Sequence, residues 1–195
     1  MISKLLRLPI QIGESALSIL GLRLGTEEPP HTVEKLGDGV EIRTYAKRIA
    51  AETTVADTEE GARNAGFRRL AGYIFGGNPA DTRIAMTAPV AQSAGSSDDW
   101  VIRFFMPSAW TMGDLPSPSD DRVRLVDVPA EKVAVLRFTG DRDARAVASQ
   151  TKKLRNTLRA YGFDADGKSV AWFYDPPWTL PFLRRNEVAV ALTAG

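Results

Sequence analysis

Alternating apolar and polar residues predict β strands in two successive blocks of the chain. The stretch VEIRTYAKRIAAETTV, residues 40–55, predicts two strands, with Val40, Ile42 and Tyr45 apolar in the first and the second beginning near Ile49. Turns rich in Gly, Pro, Ser or Asp separate the remaining candidates. These further strands are predicted over 83–91, 100–106, 123–128, 132–138, 169–174 and 186–192.

Two segments follow the period of an amphipathic helix. The first begins after Asp57 or Thr58, either of which can cap it, and ends at Gly76. Its predicted inward face carries Ala62, Gly66 or Phe67, Leu70, Tyr73 and Ile74. The second helix is predicted over 141–161, and Gly162 supplies its stop. Its predicted apolar stripe consists of Ala144, Val147, Ala148, Thr151, Leu154, Leu158 and Tyr161.

The order of these elements predicts one α+β domain built from two tandem β-α-β-β repeats. Each repeat alone would leave an apolar sheet face in water, so the two should form a single unit. We therefore expect a distorted antiparallel β-barrel flanked by two helices, over residues 31–195. The stretch GTEEPPH, residues 25–31, predicts the boundary before this domain because it combines glycine, acidic residues and two prolines.

Residues 1–30 are expected to form an amphipathic leader or tail. Lys4 and Arg7 precede an apolar stretch, but Pro9 and Glu14 interrupt it and no cleavage pattern of small residues follows. A leader that packs on the domain or frays is therefore favoured over a signal peptide or a transmembrane helix, with weak contact to a membrane surface as a further option. On this basis we expect a cytoplasmic protein.

Composition argues against several classes of function. The chain has 195 residues and a formal net charge of +1, so its electrostatics give no reason to expect nucleic acid as a partner. It contains no cysteine, which removes disulfides, thiolate nucleophiles and thiolate metal ligands. The sequence also lacks a Gly-x-Ser-x-Gly elbow, a phosphate-binding glycine loop and a histidine-based metal motif, so we do not expect an enzyme.

Three segments carry a resemblance to a known family. The first is FRRLAGYIFGGN, residues 67–78, followed by RIAMTAPV, residues 83–90. The second is VAVLRFTG, residues 133–140, and the third is YDPPWTLPFLRRNEVAV, residues 174–190. In this order they resemble the SOUL family of heme-binding proteins over residues 31–192. The resemblance implies a distorted barrel of two repeated units, and non-covalent binding of heme or another porphyrin for carriage, buffering or sensing.

The resemblance places the heme cleft against the first helix. The apolar residues of that helix would contact the macrocycle, and Arg63 and Arg68 could form charge-assisted bonds with the two propionates. The candidate heme-binding residues are Arg63, Phe67, Arg68, Leu70, Ala71, Ile74 and Met86. An ordinary core is the competing interpretation of the same apolar residues.

His31 is the single histidine and therefore the candidate ligand for heme iron. It follows two prolines in what reads as a loop, where a solvated side chain is the simpler expectation. Met86, Met106, Tyr73 and Tyr45 are alternative ligands, although Met86 within MTAPV favours packing in the core.

Two other classes of function stay open. A domain that binds small hydrophobic effectors, or a hydrolase, would place a carboxylate such as Glu52 or Glu187 in an apolar pocket. A protein-interaction module would use the apolar loop at 178–183, which precedes Arg184 and Arg185. Packing of this loop against the domain is the simpler expectation. The sequence leaves the oligomeric state undetermined.

Overall fold

The computed structural model describes residues 26–165 and 167–192. Its strands are β1 (His31–Gly37), β2 (Val40–Tyr45), β3 (Arg48–Val55), β4 (Val90–Ala94), β5 (Trp100–Phe105), β6 (Arg124–Val128), β7 (Glu131–Phe138), β8 (Ser169–Phe173) and β9 (Asn186–Ala191). They form one antiparallel sheet in the order β1-β2-β7-β9-β8-β4-β5-β3-β6. Because the edge strands β1 and β6 do not pair with each other, the curled sheet is an open half-barrel. With two helices against it, the predicted α+β class is confirmed.

The two halves of the chain occupy the sheet in matching order. The sequence β2-β7-β9-β8 on one side corresponds to β6-β3-β5-β4 read from the other edge. The outer strand of each block is exchanged, because β2 of the first half pairs with β7 of the second and β6 of the second pairs with β3 of the first. At the centre, β4 pairs with β8. This arrangement is consistent with two tandem repeats, which stay a prediction.

Helix α1, Glu59–Ile74, packs on β3 and β5. Thr58 caps it as predicted, because its hydroxyl accepts a hydrogen bond from the Gly61 amide at 3.2 Å. The inward face includes Gly66 rather than Phe67, whose side chain is 40% exposed. Gly66 permits close packing on the sheet, since a Cβ at this position would lie 2.4 Å from Cγ1 of Ile102.

Helix α2, Ala144–Ala160, packs on β7 and β9. It begins later than predicted because Asp143 is its cap, with the carboxylate accepting a hydrogen bond from the Ala146 amide at 2.7 Å. Leu154 and Leu158 near its C-terminal end are fully buried. Tyr161, predicted for the same stripe, is 47% exposed, so the stripe is a core only in part.

Two expectations about strands are wrong. Residues 83–89 form no ladder, and β4 begins only at Val90, because Pro89 has no N–H to donate. His31 does not lie in a loop, since it is the first residue of β1 and pairs with Tyr45 of β2. Most side chains of β1 are exposed, so this strand lacks the alternation that identified the others.

Residues 26–30 contact the domain. Glu27 forms an isolated parallel bridge with Thr87, and the Glu28 carboxylate forms an ion pair with Arg185 at 2.8 Å. The rest of the predicted leader, with its predicted membrane contact, lies outside the described residues. Within the described ranges, no helix is long and apolar enough to cross a membrane.

Candidate functional site

A groove of about 730 Å³ lies between the two helices on the face of the sheet that they cover. The central strands β4 and β8 form its floor, and the first residue of α1, Trp100 of β5 and one side of α2 form its walls. Its lining residues are Glu59, Gln92, Ala94, Trp100, Ala144, Val147, Ala148, Thr151, Lys152, Arg155, Asn156, Arg159, Gly167, Lys168, Ser169 and Ala171. Small side chains on the floor and on α2 leave this space unfilled, while cationic side chains stand along α2 and at Lys168.

The N-terminal half of α2 supplies the apolar wall of the groove. Ala144, Val147, Ala148 and Thr151 line it, although the sequence pattern predicts them for the core. Unlike the buried Leu154, these residues do not pack in the core. The helix contacts β7 and β9 near its C-terminal end, so its N-terminal half leaves β8 uncovered. This side of α2 therefore faces an open space instead of the sheet.

Two buried polar atoms at the groove have no hydrogen-bond partner in the described part of the chain. They are Oγ1 of Thr151, which lines the groove, and Nε of Arg63. Arg63 adjoins the groove through Gln92, because its Nη1 donates to Oε1 of Gln92 at 3.1 Å. An unsatisfied buried polar atom costs about 1–3 kcal/mol. Both atoms are shielded in this structure, so a ligand would reach them only if neighbouring side chains moved.

Two arginine side chains stack on Phe173, which lies two residues beyond Ala171 on the same face of β8. The Cζ atoms of Arg63 and Arg142 lie 4.7 and 5.9 Å from the ring centroid. Both guanidinium groups donate to neutral acceptors, Arg63 to the Arg142 carbonyl at 3.3 Å and Arg142 to the Asp175 carbonyl at 3.2 Å. Among the described residues, neither arginine forms an ion pair with a carboxylate.

The positive charges at this end of the groove repel one another. Burial, together with the charges of Arg63 and Arg184, lowers the pKa of Arg142 to about 10. Burial also lowers the pKa of Arg63, although nearby Glu59 and Glu60 oppose the shift. Both arginines are charged at neutral pH, so an anion beside them would relieve the repulsion.

The heme-binding residues predicted on α1 do not line the groove. Leu70, Ala71 and Ile74 are 0, 9 and 1% exposed and belong to the core between α1 and the sheet, where Met86 also packs. Phe67 meets the Phe104 ring edge-on with centroids 5.3 Å apart. Arg68 points into solvent, and none of these side chains lines the groove. Heme contact by these residues stays a prediction, and Arg63 alone of the predicted set adjoins the groove.

His31 lies elsewhere. Its Nδ1 donates to the Pro29 carbonyl at 2.9 Å, and its ring centroid is 4.8 Å from that of Tyr45. Tyr45 belongs to a core cluster separate from the clusters beneath the helices. Ligation of iron by His31 stays a prediction that the position of the groove does not favour.

The buried carboxylates that the sequence singled out are both paired. Glu187, which is 0% exposed, accepts hydrogen bonds from Arg43 at 2.8 and 3.0 Å, from Arg185 at 2.9 Å and from the Tyr174 hydroxyl at 2.7 Å. Glu52 accepts from two arginines at 2.7 and 2.8 Å. Neither carboxylate lines the groove.

The loop before β9 was expected to pack against the domain, but its large apolar side chains are exposed. Trp178, Leu180 and Phe182 are 62, 40 and 69% exposed. Backbone hydrogen bonds, a short 3-10 helix, Pro181–Leu183, and hydrogen bonds from the Arg184 side chain to the Thr179 and Pro177 carbonyls stabilise the loop. A sequence pattern does not distinguish a packed apolar loop from an exposed one, because the residue types are the same in both.

Sequence reasoning missed the residues that build the groove. Gln92 and Trp100 lie on strands that mix apolar and polar residues, so nothing local marks them, and Arg142 precedes the cap of α2 among other charged residues. The one available signal was the small side chains of Ala144, Ala148 and Ala171. Where a helix and a strand place small residues opposite each other, space is left between them. Recognising it requires knowing that β8 faces α2.

Comparisons with known proteins place the chain in a family. The sequence profile of the SOUL heme-binding protein family matches residues 26–191. Heme-binding protein 1 from Bos taurus is 29% identical over 148 residues, covering 73% of this chain and 76% of that protein. Heme-binding protein 2 from Mus musculus is 29% identical over 177 residues, covering 86% and 84%.

A solved structure supports the fold independently. An uncharacterized conserved protein from Listeria innocua superposes with a TM-score of 0.61 at 12% identity, covering 79% of this chain and 92% of that one. At this identity the likeness concerns the fold alone. The profile match spans the described domain almost completely, and so the chain belongs to the SOUL heme-binding protein family.

Proposed function

We propose that this protein binds a tetrapyrrole, heme in the first instance, non-covalently in the groove between α1 and α2. The observation that carries the proposal is an open groove with apolar side chains on its floor and on α2, next to two arginines that have no carboxylate partner among the described residues. Membership of the SOUL family and the names of its relatives support the choice of ligand.

The size and lining of the groove suit a flat apolar ring. Its volume of about 730 Å³ lies within the range of small-molecule sites, roughly 300–1,000 Å³. Ala94, Ala171, Val147 and Ala148 offer apolar surface, and Trp100 offers an aromatic face at one wall. The ring would displace water from this surface on binding.

The arginines on Phe173 would bind the carboxylates of the ligand. They are partly withdrawn from solvent, so a charge-assisted hydrogen bond there gains more than one at an exposed lysine. Arg142 carries the lowered pKa that an anion would restore. Lys152 and Arg159 stand exposed on the opposite rim and would contribute less.

The groove gives the iron no strong ligand. Histidine, cysteine, methionine and tyrosine hold heme iron in proteins, and none of them is among the described residues that line the groove. The protein would therefore recognise the macrocycle and its carboxylates rather than the metal. Binding of this kind is readily reversible and suits carriage, buffering or sensing.

Titration of the protein with hemin, followed at the Soret band, tests the proposal together with a parallel titration with iron-free protoporphyrin IX. We expect saturable binding of both, with affinities that agree within about threefold, because no residue of the groove ligates the iron. A ligating residue would instead add several kcal/mol to the binding of the iron form. Binding that never saturates, or that resembles that of an unrelated protein, would contradict the proposal. Strong preference for hemin would show that an iron ligand is used.

Filling the groove locates the site. In Ala148→Trp a large ring projects from an exposed helix position into the groove, and we expect hemin affinity to fall by about tenfold or more. Ser149→Trp is the matched control, because position 149 is exposed on the same helix and does not line the groove. Equal loss in both variants, or in neither, would place the tetrapyrrole elsewhere.

One observation favours a second candidate, a hydrolase or effector-binding function. Glu59 is half-buried at the groove, and burial raises the pKa of its carboxyl while Arg63 opposes the shift. Such a carboxyl could act as a general acid or base. Hydrolysis of p-nitrophenyl acetate that disappears in Glu59→Gln would support this function, whereas unchanged background hydrolysis would exclude Glu59 from it.

A further inference from the structure

The loop between β8 and β9, residues 176–185, presents large apolar side chains to solvent. Trp178, Leu180 and Phe182 project from it and form what we call the loop tip. Together they expose on the order of 300–400 Å² of surface, about half of what each partner buries in a standard protein interface. None of the three lines the groove between the helices. The loop tip is therefore a surface of its own.

The backbone of this loop satisfies most of its own polar groups. Three of its residues are prolines, which have no N–H to donate. Loop amides, the Arg184 side chain and the Gly140 amide donate hydrogen bonds of 2.8–3.2 Å to a series of loop carbonyls. These carbonyls belong to Pro176, Pro177, Thr179, Leu180 and Pro181. Backbone groups that are already bonded can leave water at little cost, which is the condition for entering a lipid phase.

Cations without a carboxylate partner lie at the base of the loop tip. The loop contains two arginines and no acidic residue. Arg185 is paired with carboxylates, but Arg184 forms no ion pair among the described residues. Arg142, which also lacks such a pair there, lies beside the loop and donates to the Asp175 carbonyl at 3.2 Å. Apolar side chains in front of unpaired cations complement the acyl chains and anionic headgroups of a bilayer.

A lipid surface fits the loop tip better than a protein partner does. A protein interface needs a complementary shape and about twice this area, whereas a bilayer adapts to a protruding tip. We propose that the loop tip docks the protein on an anionic lipid surface, with Trp178 and Phe182 inserted below the headgroups and Arg184 at their level. This docking does not require a tetrapyrrole in the groove, and either function can exist without the other.

A single fluorescent label can report on the loop tip, because the chain has no cysteine of its own. Phe182→Cys, in the full chain, carries an environment-sensitive fluorophore. Phe75→Cys is the matched control, since Phe75 is 60% exposed at the C-terminal end of α1. On addition of mixed phosphatidylcholine and phosphatidylserine vesicles, the label at 182 should enter an apolar environment in a saturable manner and be quenched by spin-labelled acyl chains. The label at 75 should stay in water.

The label separates insertion of the loop from other ways of binding vesicles. Absence of binding, binding with the label at 182 still in water, or an equal response of the two labels would overturn the proposal. Vesicles of phosphatidylcholine alone should bind at least about fivefold more weakly, because the arginines lose their attraction to anionic headgroups. Equal response of the label at 182 to both kinds of vesicle would contradict an anionic surface as the partner.

Two unlabelled variants test the same surface. In Phe182→Ser, partitioning onto the mixed vesicles should fall at least about tenfold, because a phenylalanine side chain no longer leaves water. Phe75→Ser should change it by less than about twofold. Both side chains are mainly exposed, so both variants should fold. Light scattering without lipid gives the mass of each protein. If Phe182→Ser converts a dimer into a monomer, the loop tip is an interface between copies of this chain and the proposal is overturned.

Discussion

Two neighbouring residues, Phe173 and Tyr174, carry arginines on opposite faces of the sheet, and the two arginine groups differ in their counter-charges. The ring of Tyr174 lies under Arg185, with Cζ 3.7 Å from its centroid, and its hydroxyl donates to Glu187. The ring of Phe173 lies under Arg63 and Arg142. The first group encloses a carboxylate, whereas the second, within the described residues, has no such partner.

The difference separates charges that are paired within the fold from those that we propose to bind a ligand. Burial by itself lowers the pKa of Arg43, but its bonds to Glu187 outweigh that effect and raise the pKa above the ordinary value. At Arg142, burial and the neighbouring arginines both lower the pKa, to about 10. Cations that are already satisfied stabilise the fold, and cations left unsatisfied beside an open groove favour an anionic ligand.

The largest expected effect concerns the paired group. Glu187→Gln removes the fully buried counter-charge that Arg43 and Arg185 share and leaves them only their partly exposed partners Glu41 and Glu28, so the free energy of unfolding should fall by about 3 kcal/mol. Glu34→Gln is the control, because Glu34 is exposed and lies 3.8 Å from Lys132, a pair worth about 0–1 kcal/mol. Urea unfolding of both variants measures the contrast. A loss below 1 kcal/mol in Glu187→Gln would show that the network is not structural.

The same carboxylate, Glu187, should make the stability of the protein depend on pH. Burial tends to raise the pKa of Glu187, but the bonds from Arg43, Arg185 and Tyr174 together lower it below its ordinary value of 4.5. Its contribution is therefore present above pH 4.5 and is lost as pH falls through the lower pKa of the folded state. Urea unfolding between pH 6 and pH 3 should show this loss, and the loss should be smaller in Glu187→Gln. An identical pH dependence in the two proteins would refute the assignment.

The smallest effect on stability is expected from the unpaired group. Arg142→Gln removes a mutually repelling charge, so the free energy of unfolding should change by no more than about 1 kcal/mol. Hemin affinity should nevertheless fall about tenfold, since a charge-assisted hydrogen bond is lost. Lys152→Gln, at the exposed rim, should cost less than about threefold. Equal affinity losses in the two variants would contradict the proposal that Arg142 contributes more to ligand binding than Lys152 does.

Much of the fold could be predicted, because the buried residues of β2, β7 and β9 and the cap of α1 carry their signals locally. The missed strand β1 is an edge strand whose exposed side chains, such as Val33, do not alternate with burial. The site was harder to predict. A recess against α1 was expected, but Leu70 and Ile74 fill the core there. Ala148 and Ala171 line a groove only because the order of the strands places α2 opposite β8. That juxtaposition is a property of the sheet order rather than of any segment.

The open half-barrel leaves two strand edges without partners in the described residues, and both carry charge. Glu34 and Lys35 lie on β1, while Asp127 on β6 is paired with Lys47. A strand from another copy of the chain could add to either edge only by stripping water from these groups. The incomplete closure of the barrel is thereby compatible with a protein that does not polymerise through its edges.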